Sequence, residues 1–331
     1  MSHHSEPTPI VEPPKIPGYR PAVKRGFFEG LRKGVHGFLW IAKILVPVSL
    51  AVALLDWSGW LYALDPIFQP VMGLINLPPQ AALPILSAMF TSFYAGLAMI
   101  IIIPFSPDQV ILLAIFITIC HMLIVEGLIQ HKSGIAFAKI DAIRILTAGV
   151  TVYVVSLFLS ETETPVVMPG ALVTRAPLPD MLLAWTTSTV ELLLKLLLII
   201  MAVMIVLETL KTLGWDEKIA AFFKPFMSVF GLSANVAPMW VAGTFFGIIY
   251  GSAVIMEEAT SGKYTKDELE RLHISLGVSH SVVEDPALFL ALGVSLFWTI
   301  VPRLIAAAIA VNLYRLFQVI RKRIRRDTSV A

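Results

Sequence analysis

Long apolar runs broken by short polar stretches dominate this chain. The runs at 38–55, 81–104, 110–128, 140–159, 192–207, 236–256 and 297–317 each approach the roughly 20 apolar residues that a helix needs to cross a hydrocarbon core. The pattern predicts an all-α polytopic membrane protein. It also occurs twice. Gly59-Trp60, Phe68, Pro70, Met72, Leu77, Phe90, Gly96 and Ala98 recur 155 residues later as Gly214-Trp215, Phe223, Pro225, Met227, Leu232, Phe245, Gly251 and Ala253. After a four-residue insertion, His121, Glu126 and Arg144 recur 159 residues later as His280, Asp285 and Arg303. An internal repeat of this kind marks transporter-like architecture, in which two related halves enclose a site near the bilayer midplane.

The punctuation divides the chain. Residues 1–25 are rich in Pro and polar residues, carry no secretory signal, and read as a disordered cytoplasmic segment. The first repeat takes 26–160 and opens on an interfacial helix over 26–37, with Phe27, Phe28 and Leu31 toward the lipid boundary. A linker at 161–182, with Pro165, Pro169, Pro177 and Pro179, leads to the second repeat at 183–318 and a basic cytoplasmic tail at 319–331.

Composition agrees with the pattern. The chain of 331 residues is 57% hydrophobic and 15% charged, against roughly 25% charged in a soluble domain. The net charge of +2 predicts no nucleic-acid partner, because the basic residues gather at the chain ends. By the positive-inside rule both termini then face the cytoplasm, and the protein belongs in the cytoplasmic membrane. The loop 56–79 has no Lys or Arg, whereas its counterpart 211–233 has Lys211, Lys218 and Lys224. Equivalent loops therefore face opposite sides, and the repeats are inverted, each with three spans plus a re-entrant or broken segment. In the second half that segment is expected at 267–285, which carries Glu268, Glu270, Arg271, His273, His280 and Glu284 and is interrupted by Pro286. Eight full spans with parallel repeats is the alternative.

Ionisable groups at membrane depth are costly unless paired or hydrated, so they mark ion handling, substrate handling or buried pairing. His280, Ser281, Glu284, Asp285 and Arg303, mirrored by His121, Glu126 and Arg144, are the leading candidates. His280 and Glu284 are four apart and would share one helix face. The competing reading makes Asp285–Arg303 and Glu126–Arg144 structural ion pairs. Gly243, Gly247 and Gly251, also four apart, predict either close helix packing or an open face for a solute. Asn235 is a candidate helix cap that could also meet a polar ligand. Lone Cys120 allows no intramolecular disulfide. With no GxxxxGK[ST], HExxH or GxSxG sequence, no enzyme activity and no resident metal or other cofactor are expected.

The sequence GTFFGIIYGSAVIMEEATSGKYTKDEL, followed by SHSVVEDPALFLALG, resembles the nucleoside-recognition or Gate domain family. That family includes spore maturation proteins A and B, the membrane core of the ferrous iron transporter B and, more distantly, concentrative nucleoside transporters. The better match spans about 192–315, and 38–159 is a weaker copy with HMLIVEG in place of HSVVEDP. The resemblance implies a permease with two Gate repeats that moves a small polar solute, such as a nucleoside. Two further readings stand beside it: a divalent-metal permease using His280, Glu284 and His121 or Cys120, and a membrane assembly or regulatory protein whose polar pairs are structural. The expected partners are the lipid bilayer, the small polar solute, and a second copy or another membrane protein.

Overall fold

The computed structural model describes residues 19–60, 65–159 and 177–328, and among them the regular elements are all helical. The first half comprises α1 (Tyr19–Ser58), α2 (Asp65–Gly73), α3 (Ala82–Phe90), α4 (Phe93–Ile102), α5 (Pro107–Ile119), α6 (Leu123–Lys132) and α7 (Phe137–Ser156). The second comprises α8 (Leu178–Thr212), α9 (Trp215–Phe223), α10 (Ala237–Phe246), α11 (Ile248–Thr260), α12 (Lys266–Ser279), α13 (Glu284–Leu290) and α14 (Leu296–Thr328). Of the segment 1–25 expected to be disordered, 1–18 lie outside the described residues, as do most of the linker and the last three residues, whereas 19–25 are helical and open α1, packed against α8. Helix α8 begins within the stretch read as linker.

The duplication extends to the backbone. Gly59 and Gly214, 155 apart, are both left-handed, at φ 80° and 65°. Asn76 and Gly231 repeat this at 55° and 68°, as do Met122 and Ser281 at 46° and 50°.

The equivalent long helices α1 and α8 pack side by side in opposite directions. Gly26 meets Thr209, Gly30 meets Ile205 and Gly34 meets Met201. Farther along, Trp185 Nε1 donates to Ser49 Oγ at 3.2 Å. Residue numbers rise on one helix as they fall on the other, so the halves are inverted with respect to each other. The centre repeats the exchange: α5 packs on α14, and α12 packs on α7.

Two apolar runs do not form spans. The run 81–104 is a hairpin of α3 and α4, and 236–256 is a hairpin of α10 and α11. A nine-residue helix is about 14 Å long, half of a hydrocarbon core. Ser92 ends the first arm and caps α4 by accepting from the Ala95 N–H at 3.1 Å. Gly247, at φ 85° and ψ 158°, performs the turn in the second. Gly96 lies against Ala88 and Pro84 across the hairpin, and Gly251 lies against Ala242 and Gly243. Each hairpin has arms too short to cross and so the dimensions of a re-entrant segment. The stretch 267–285, expected to be re-entrant or broken, is a broken helix, α12 then α13, with His273, Ser275, Ser279, His280, Ser281 and Asp285 buried against protein. The helix expected at 26–37 is a turn-continuous part of α1, because its glycines bring it onto α8.

The outward faces are apolar. Leu146, Val150, Leu198, Ile305, Ile309 and Leu313 are exposed along α7, α8 and α14, a surface suited to lipid. This is a multi-pass membrane protein.

Candidate functional site

Both broken helices stop at a histidine. Helix α5 ends before His121 and α12 before His280, and the left-handed residues that follow, Met122 and Ser281, turn the chain into α6 and α13. A helix end leaves carbonyls without intrahelical donors. Here arginines from the next long helices supply them. Arg144 Nε donates to Ile119 O at 3.0 Å and Nη2 to His121 O at 2.7 Å. Arg303 Nε donates to Val278 O at 3.4 Å and Nη2 to His280 O. A guanidinium also places positive charge at the negative end of a helix dipole.

The inversion brings the two histidines together. His121 Nε2 and His280 Nε2 are 3.2 Å apart. Glu126 completes the group, with Oε2 3.1 Å from His280 Nε2 and Oε1 3.4 Å from His121 Nε2. Arg144 Nη2 lies 2.8 Å from Glu126 Oε2, although Oε2 has no aligned hydrogen-bond donor. The contact is an ion pair rather than a directed bond. In the second half, Asp285 Oδ2 lies 3.8 Å from Arg303 Nη2 and also has no hydrogen-bond partner. All these side chains are buried.

Comparison with known proteins adds a relative without adding an activity. The chain is similar to the "Uncharacterized membrane protein YvoD" of Bacillus subtilis (strain 168). The two are 29% identical over 294 residues, covering 87% of this chain and 93% of the relative. No family model matches the chain, and no solved structure matches it. The likeness runs along nearly the whole length of both proteins and agrees with a membrane protein.

A cavity of about 610 Å³ opens between α8 and the α10–α11 hairpin, with Lys33 of α1 also on its lining. Its volume is within the range of small-molecule sites, about 300–1,000 Å³. Leu207 and Glu208 of α8 line one wall, Ala242, Gly251 and Val254 of the hairpin line another, and Glu284 also lines it. Asn235 stands on the lining as well. In the first half the equivalent helices touch, α4 packing directly on α1. Val52 and Ile103 are buried together, with Val48, Leu83 and Met99 packed against them. Val52 corresponds to Leu207 and Met99 to Val254, each at an offset of 155.

The structure separates some residues that spacing groups together. His280 and Glu284 do not share a helix face, because α12 stops before His280 and α13 begins at Glu284. Glu284 Oε1 accepts from Tyr94 OH at 2.9 Å, while His280 turns to His121. Gly243, Gly247 and Gly251 do not line one helix either: Gly247 is the hairpin turn and sits against the Ser281 hydroxyl. Asn235 is not the cap; Ser233 is, accepting the Asn235 N–H at 3.4 Å. Sequence reasoning did not single out Tyr94, or the series Ala22, Gly26, Gly30 and Gly34 at intervals of four, which is the small-residue signature of close helix approach.

Proposed function

We propose that this protein is a permease for a small polar solute, with a nucleoside as the first class to test. The supporting observation is the difference between two equivalent places. Inverted halves of related sequence would be expected to adopt the same packing, yet one hairpin is closed on its long helix and the other stands away from it. A transporter of this type works by exchanging those two arrangements. The cavity offers the solute apolar walls with polar groups at Glu208, Asn235 and Glu284. Lys33 and Lys211 also line it, so under the positive-inside rule its mouth faces the cytoplasm, with both termini on that side. The reading assigns no chemical reaction to the protein.

The test is counterflow in proteoliposomes preloaded with unlabelled nucleosides, extended to a panel of small polar solutes. Wild-type protein is expected to exchange one class saturably, and Ala242→Trp, which fills the cavity, is expected to lose at least nine-tenths of that exchange. A panel without saturable exchange, or full exchange in Ala242→Trp, overturns the reading.

A further inference from the structure

The histidine pair poses an electrostatic problem. His121 Nδ1 is 2.8 Å from Ile117 O, and His280 Nδ1 is 3.0 Å from Leu276 O. A carbonyl oxygen only accepts, so each Nδ1 carries the proton. In a neutral ring the other nitrogen then presents a lone pair. The two Nε2 atoms therefore direct lone pairs at each other across 3.2 Å, beside a carboxylate at 3.1 and 3.4 Å. Such a cluster is electron-rich and buried. Arg144 balances the carboxylate, but the facing lone pairs still call for a cation between the two rings.

From this geometry we infer that His121, Glu126 and His280 form a binding site for one divalent transition-metal ion, held between the two inverted halves. The three side chains can bring their ligand atoms within 4.8 Å of one another. A tetrahedral ion with ligands at 2.0–2.1 Å places those ligands about 3.3 Å apart, close to the 3.2 Å between the two imidazole nitrogens and to the 3.1 and 3.4 Å from them to the two separate Glu126 oxygens. Two imidazoles and one carboxylate suit zinc or ferrous iron. The Nδ1–H bonds to backbone carbonyls are the outer contacts that orient metal-binding imidazoles. Arg144, anchored on two carbonyls, balances the Glu126 charge and fixes its position.

The inverted repeat explains why there are three ligands. Asp285 occupies the position equivalent to Glu126, but its side chain is one methylene shorter and it pairs with Arg303. The metal reading from sequence spacing combined His280 and Glu284 with His121 or Cys120. The structure instead gives Glu284 to Tyr94 and leaves Cys120 outside the cluster.

The site is independent of the transport reading, since metal can be bound without solute exchange and solute exchanged without metal. The experiment uses the full-length protein in nanodiscs, stripped with chelator and titrated with Zn²⁺ and Co²⁺. One ion per chain is expected, with a tetrahedral Co²⁺ absorption spectrum and X-ray absorption showing two imidazole nitrogens. His121→Asn and His280→Asn should each weaken binding at least 100-fold, and Glu126→Gln about 10- to 100-fold. Wild-type protein supplies the decisive reading if a variant fails to fold. No stoichiometric ion in wild type, a shell without imidazole, or unchanged affinity in well-folded variants overturns the site and leaves a shared proton as the cation.

Discussion

Arg144 and Arg303 are completely buried, and burying a guanidinium costs several kcal/mol unless it is paired and hydrogen-bonded. Their partners are backbone carbonyls at the ends of α5 and α12 as well as carboxylates, so each arginine caps a broken helix and also neutralises an acid. Replacing Arg144 with Met strands Glu126 and two carbonyls together. We expect a loss of about 3–5 kcal/mol, read as a large fall in the melting temperature of the purified protein. A melting temperature within two degrees of wild type would show that the arginine does not brace the centre. The sequence exposed this set, because His, acid and Arg recur at one offset. It did not expose the pairing of His280 with His121 and Glu126. The left-handed turn at Ser281 separates His280 from Glu284, and spacing alone carries no information about that turn.

At the scale of elements, small residues decide which backbones approach. A Cβ added at Gly30 would stand 2.5 Å from the Ile205 Cα and 2.7 Å from the Met204 carbonyl oxygen. Backbone atoms cannot yield as a side-chain tip can, so α1 and α8 must separate. Overpacking of this kind costs about 1–3 kcal/mol. Gly30→Ala should therefore lower the unfolding temperature, whereas Gly37→Ala on the same helix, which meets nothing within 4 Å, should not. Equal effects would contradict the packing described. The hairpins were hidden in the sequence for a related reason. Both arms are apolar throughout, so 81–104 and 236–256 match a single span in length and hydropathy. The local signals were Ser92 and Gly247, one a helix cap and the other a conformation reserved for glycine.

At the scale of the molecule, duplication and loop charges indicated inversion, and the antiparallel course of α1 and α8 agrees. The packing adds the difference between the halves, which no repeat in sequence could reveal, because related sequences there take unlike arrangements. Val52 and Met99 lie in a closed cluster, while Leu207 and Val254 line an open cavity. The free energy separating the two arrangements must be small if they exchange during transport.

The most direct measurement is labelling of Val254→Cys and Met99→Cys by membrane-impermeant maleimide, from each side of sealed vesicles, in a chain whose own Cys120 is buried. The account predicts that position 254 reacts from the cytoplasmic side and position 99 from the opposite side. A transported solute should change the two rates in opposite directions. Labelling of both positions from one side, or rates that rise and fall together, would contradict alternate opening of the two halves.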